Sequence, residues 1–170
     1  MDFVKQRFKE KVNILAAEIK DLQAEHGKMQ IDTVDISQAF GGMRDITSMI
    51  WETSLLDAQD GIRFRGYSIP QLQELLPKAP NGEEPLPEGL FYLMLIGELP
   101  TQADVDFIAS EWQRRSNIPP HVFKTIDVLP ITAHPMTQFI SAISAMQTES
   151  IFSSSYLQGM SKSDYWDAIL

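Results

Sequence analysis

The chain has no cysteine among its 170 residues, which excludes a disulfide framework, a thiolate metal site and a cysteine nucleophile together. Histidine is scarce. Only His26, His121 and His134 occur, none with a second histidine at metal-ligand spacing, so no metal site is expected. Basic residues are outnumbered, 14 Lys and Arg against 23 Asp and Glu, for a formal net charge of −9. Nucleic acid and anionic membrane both call for a basic face, so neither is an expected partner. The acidic residues are scattered and read as solvated surface. No apolar run approaches the roughly 20 residues needed to span a bilayer; the longest, residues 90–96, fits a buried helix. The first 25 residues mix Lys5, Arg7, Lys9 and Lys11 with Asp2, Glu10, Glu18 and Asp21 around no apolar centre. That pattern is neither a transit peptide nor a secretory signal, so any organellar address is expected outside this sequence. A Gly-x-Ser-x-Gly elbow is missing too.

What is present reads mainly as helix. Phe8, Val12, Leu15, Ile19 and Leu22 step by four, three, four and three, which predicts an amphipathic amino-terminal helix within residues 1–28. Its stripe is expected to pack into the core, and Gly27 is expected to close it as a left-handed cap. Residues 29–36 read as a short extended piece, and Gly41-Gly42 as a bend. A small β-hairpin is expected near residues 48–69. Met49, Trp51 and Thr53 alternate with Ile50, Glu52 and Ser54, Asp60-Gly61 supplies the turn, and Ile62, Phe64 and Gly66 alternate with Arg63, Arg65 and Tyr67. Alternation puts Arg63 and Arg65 on one strand face, where they read as ion-pair residues. The glycines of Gly61 to Gly66 lack the Lys and Ser/Thr that follow in a phosphate loop.

Further on, Ser68 with Gln71 fits a capping box with Pro70 inside the helix start, and Pro77 stops that helix. A loop rich in Pro, Gly and Glu follows, with Glu83 and Glu84 solvated. Residues 88–96 form the next helix, closed by Gly97, and Thr101 with Asp104 opens another that runs toward Arg115. Beyond Pro119-Pro120 a short helix reaches about Val128. A helix over residues 135–147 carries Phe139, Ile143 and Met146 beside Ala142 and Ala145, small enough to admit a partner helix. Two final helices are expected over residues 151–158 and 162–170. Tyr165, Trp166, Ala168, Ile169 and Leu170 lead into the terminus without a closing residue, which is read as a chain cut within a helix, its apolar side chains left without cover. His26 reads as a helix-end cap, His121 as exposed, and His134 as the one histidine beside a functional element. The residues alone thus predict an all-α, multi-helical domain with one hairpin and no assembled active site.

Several stretches, in order, resemble the citrate synthase family, in the eukaryotic mitochondrial form. They are Gly41 to Arg44, Trp51 to Asp57, Asp60 to Pro70, Leu76 to Ala79, Gly82 to Phe91, Gly97 to Thr101, Glu111-Trp112, His134 to Met136, Glu149-Ser150 and Tyr165-Trp166. The resemblance implies an almost wholly helical enzyme of a large and a small domain, with residues 29–170 forming the amino-terminal portion of the large domain and the small domain absent. It implies a homodimer in the mitochondrial matrix that condenses acetyl-coenzyme A with oxaloacetate. The chemistry is enolisation, attack on the oxaloacetate carbonyl, then thioester hydrolysis. The family's two catalytic histidines and catalytic aspartate lie in its later part, so no catalytic residue is carried over and this chain alone is expected to be inactive. Arg44 matches an arginine that reaches coenzyme A, and Lys162 stands where the family usually has an arginine of similar role; both are expected on coenzyme A phosphates. Coenzyme A enters as substrate, with no permanently bound cofactor. Asp45 stands where that branch commonly has glycine. The helices of residues 135–147 and 162–170 match helices that pack across the dimer. Two alternatives remain open: a 2-methylcitrate synthase, and a non-catalytic assembly or filament protein that kept the fold.

Overall fold

The computed structural model describes residues 3–47, 53–57 and 59–170. Within them nine α-helices accompany one small three-stranded antiparallel sheet, so the expected helical class is the observed one. The chain divides into two compact units, Glu10–Val105 and Met1–Lys9 with Asp106–Leu170.

Helix α1 (Phe3–His26) opens the chain. Its stripe is buried only at Val4 and Phe8, while Ile19 and Leu22 stay more than a third exposed. The expected core packing therefore holds at one end and fails at the other. Gly27 also departs from expectation. Its φ is not positive; instead a Cβ there would lie 2.3 Å from the Gln23 carbonyl oxygen, which its own N–H meets at 3.0 Å. Glycine is needed for close approach, not for handedness.

In the unit Glu10–Val105, helix α2 (Ile36–Phe40) starts on a capping box of Asp35 and Gln38. Strands β1 (Ser54–Asp57), β2 (Gly61–Phe64) and β3 (Tyr67–Ser68) pair in that order. The Asp57 carboxylate accepts from the Gln59 and Asp60 N–H groups at 2.7 and 2.8 Å, nucleating the first turn. The Met49 and Trp51 alternation lies outside the described residues. The third strand extends the expected hairpin. Arg65 (φ 50°) and Gly66 (φ 87°) both take left-handed backbone, so the chain reverses in two residues and Phe64 pairs with Tyr67. Arg65 therefore leaves the strand and does not share a face with Arg63. Helix α3 (Ile69–Leu75) begins on the expected Ser68–Gln71 box. Helix α4 (Pro87–Ile96) ends on Gly97 at φ 83°. Leu72, Leu76 and Leu93 form the core, with Phe64, Tyr67 and Leu90 against them. Leu76, Pro100 and Val105 pack against α4 at Gly89.

Helix α5 (Gln102–Arg115) starts on the expected box, Thr101 Oγ1 donating to Asp104 Oδ2 at 2.7 Å and the Asp104 N–H returning to Thr101 Oγ1 at 3.3 Å. In the second unit, α6 (Pro120–Asp127) packs on α7 (Pro135–Met146), and α8 (Ile151–Leu157) is capped by Ser150. The expected helix over 162–170 is broken. A 3-10 turn, Lys162–Asp164, hands over at Tyr165 to the single turn α9 (Trp166–Ile169), because Tyr165 N–H bonds three residues back, to Lys162, at 3.3 Å. The expectation that the terminal apolar side chains lack cover also fails. Trp166 is buried, with ring centroids 5.6 Å from Phe8 and 6.2 Å from Phe107, and Tyr165 stands edge-on to Phe152 at 5.3 Å. Ion pairs frame this cluster: Lys5 to Asp167 at 2.6 Å, Lys9 to Asp164 at 2.8 Å and Arg115 to Asp167 at 2.8 Å. Glu111 accepts from Arg115 and, at 2.9 Å, from Arg114.

Candidate functional site

Arg44 stands exposed on a turn that the preceding residues build. Met43 and Asp45, on either side, are both left-handed, at φ 64° and 55°. Such backbone costs glycine nothing and is tolerated by aspartate better than by most residues, so Asp45 fits its place. Gln38 holds the turn at both ends. Its carbonyl accepts from Met43 N–H at 2.8 Å, and its side-chain amide donates to the Asp45 carbonyl at 3.2 Å. Asp32 fixes the exit, accepting from Thr47 N–H at 2.9 Å and from Thr33 N–H at 2.7 Å. Those two backbone donors lower the Asp32 pKa, and Ser37 followed by the Gln38 N–H lowers that of Asp35. Both carboxylates are thus held ionised as anchors. A pocket of about 530 Å³ includes Thr47 in its wall, with Leu22, Met29 and Ile31 as apolar lining and Gln23 and His26 as polar. A guanidinium on a fixed turn suits a phosphate, and an apolar pocket suits a flat or hydrocarbon group.

Lys162 is exposed in the 3-10 turn of the other unit, so the two expected coenzyme A residues belong to separately described bodies. The histidines take structural places. His134 Nδ1 accepts from Met136 N–H at 3.1 Å and caps α7, His121 Nε2 lies 3.0 Å from the Ala145 carbonyl, and His26 is exposed beside Glu25 at 3.7 Å. Among the described residues no group of three His, Asp or Glu side chains is placed to hold a metal, and no helix is long and apolar enough to cross a membrane. Arg63 makes the expected ion pair with Asp60, at 3.4 Å, but Arg65 donates to the Met94 carbonyl instead. The anchors Asp32 and Gln38 went unrecognised in the sequence. The signal for half of them was the Asp35-to-Gln38 capping spacing, which fixes where Gln38 must point.

A family model described as "Citrate synthase, C-terminal domain" matches residues 42–170, beginning at the turn that carries Arg44. The chain belongs to the citrate synthase family. Among curated relatives it is similar to the mitochondrial citrate synthase of Daucus carota, 49% identical over 164 residues, which is 96% of this chain and 35% of that protein. The corresponding enzyme of Aspergillus niger is 48% identical over 164 residues, 96% of this chain and 34% of its own. That of Saccharomyces cerevisiae is 49% identical over 163 residues, with the same two shares. The chain therefore spans about a third of the length of the curated relatives it matches.

Proposed function

We propose that this chain serves a mitochondrial enzyme condensing acetyl-coenzyme A with oxaloacetate to citrate and free coenzyme A. In this reading the stretch from residue 29 to 170 is the amino-terminal portion of the large domain, and it supplies scaffold, subunit contact and part of the coenzyme A site. The catalytic acid and base groups come from sequence beyond it, so the chain alone makes no citrate. The observation that carries the reading is identity near one half, over 96% of the chain, to mitochondrial citrate synthases. Arg44 supports the coenzyme A role through its exposed, anchored turn, and Lys162 offers a point charge where an arginine would offer a fork. The unburied apolar face of α7 supports the subunit contact, made with a second copy of the protein.

The test is release of free thiol from acetyl-coenzyme A, dependent on oxaloacetate, by the 170-residue chain. No release above background is expected. Turnover at ordinary enzyme rates, roughly 1–10³ s⁻¹, overturns the claim of inactivity. Coenzyme A binding by calorimetry separates the second half of the reading. Arg44→Ala should weaken it by about tenfold, the loss of one charge-assisted contact, without moving the melting temperature. An unchanged dissociation constant removes Arg44 from the site.

A further inference from the structure

We infer that Arg65 is a clasp that joins the β2–β3 turn to the carboxyl end of α4 and makes the two fold and open together. Its backbone is the first indication. A two-residue reversal with both φ angles positive favours Asn, Asp or Gly at its first position, because short polar side chains or none tolerate left-handed backbone. Arg65 holds that position at φ 50°, and an arginine there needs compensation from elsewhere.

The compensation is visible in its side chain. Nε and Nη2 both donate to the Met94 carbonyl oxygen, at 3.2 and 2.6 Å. Met94 lies in the last turn of α4, where carbonyls have no partner further along the helix. The neighbouring carbonyl, of Leu93, is met by the Gly97 N–H at 2.8 Å, which leaves Met94 to the arginine. A cation there also faces the negative end of the helix dipole. The guanidinium lies flat against the cap: a Cβ built on Gly97 would sit 3.8–3.9 Å from Cζ, Nε and Nη1. Arg65 is half-buried, burial lowers its pKa, and an arginine stays charged regardless. Among the described residues the guanidinium donates to this one carbonyl, while the Arg65 backbone N–H donates to the Thr53 carbonyl at 2.8 Å. The strained turn and the helix end therefore each rely on the same side chain.

Arg65→Asn separates the two effects, since asparagine favours the turn and removes the clasp. The melting temperature should fall by roughly 4–8 °C, as for loss of a charge-assisted bond in a chain of this size. Amide exchange should quicken together at Tyr67, in the turn's exit strand, and at Gly97, at the helix end. An unchanged or raised melting temperature overturns the clasp, and so does faster exchange confined to Tyr67. Arg65→Lys is the second variant, for the case in which the asparagine form does not fold. Lysine keeps the charge but not the paired donors, so a smaller fall with faster Gly97 exchange is expected. A lysine form matching the parent in both readings overturns the inference.

Discussion

Helices α4 and α7 invite comparison because their sequences promise the same thing. Each begins on a proline, runs for about three turns and carries mainly apolar side chains. In α4, Tyr92, Leu93 and Ile96 are 1%, 0% and 3% exposed, and Leu93 clusters with Leu72 and Leu76, against which the sheet residues Phe64 and Tyr67 pack. In α7 no residue is buried, and Met136, Phe139, Ile140 and Ile143 are each more than half exposed. Propensity cannot account for the difference, since both segments form helices. What differs is whether the chain itself supplies cover. Leu76, Pro100 and Val105 stand against α4 at Gly89, whereas α7 rests on α6 and leaves its remaining stripe exposed. Four large apolar side chains exposed on one helix mark a surface suited to a partner, which is why α7 carries the proposed subunit contact.

The sharpest way to break the comparison is to truncate one side chain in each helix. Leu93→Ala removes a fully enclosed side chain and should cost about 3 kcal/mol. That corresponds to a melting temperature lower by roughly 6–12 °C in a chain of this size, read by circular dichroism. Ile143→Asp, on the open stripe, should leave that transition within a few degrees while abolishing self-association in sedimentation experiments. If Ile143→Asp destabilises the chain as Leu93→Ala does, α7 is core and the contrast is lost. If association survives the charge, the subunit contact lies elsewhere.

The same two helices show how much was legible beforehand. The signals at Ser68 with Gln71, Thr101 with Asp104 and Gly97 were read correctly, each acting within four residues of its target, while Gly27 was misread as a left-handed cap. The identity of the family was legible from short ordered stretches, and the helical class with it. The fate of a side chain across the fold was not. Arg65 read as the strand-mate of Arg63 because alternation assumes an unbroken strand, whereas the chain reverses at residues 65 and 66 and the Arg65 side chain reaches the Met94 carbonyl, 29 positions away. Trp166 read as uncovered because its partners, Phe8 and Phe107, are remote in sequence. At the candidate site, Arg44 was found through resemblance; of its anchors, Gln38 is signalled only by its capping spacing from Asp35, and Asp32, which accepts from the Thr33 and Thr47 N–H groups, by no side-chain pattern.

Acid titration sharpens the comparison on a smaller scale, because the two regions are held by different forces. Around α4, Leu93 packs with Leu72 and Leu76, and Arg65 donates to the Met94 carbonyl. Around α5 and α9 they are carboxylates on cations. Hydrogen bonds from Arg114 and then Arg115 bring the Glu111 pKa from 4.5 to about 2, and Lys5 chiefly lowers that of Asp167. A carboxylate whose folded pKa is depressed takes up protons more readily when unfolded. Its contribution is complete above the ordinary value and is lost as pH falls from there toward the folded one. For Glu111 that window is pH 4.5 to about 2. We expect a loss on the order of 1–2 kcal/mol, less than the full shift implies, because Arg114 is exposed and water screens its pair with Glu111. Exchange protection, corrected for the intrinsic pH dependence, should therefore fall first at Ala168 and Ile169 and only later at Leu93 and Gly97. Glu111→Gln should be less stable than the parent at neutral pH and approach it in acid. A parent and variant that keep the same difference from pH 7 to pH 2 would show that the carboxylate network adds nothing and that packing around Trp166 alone holds α9 in place.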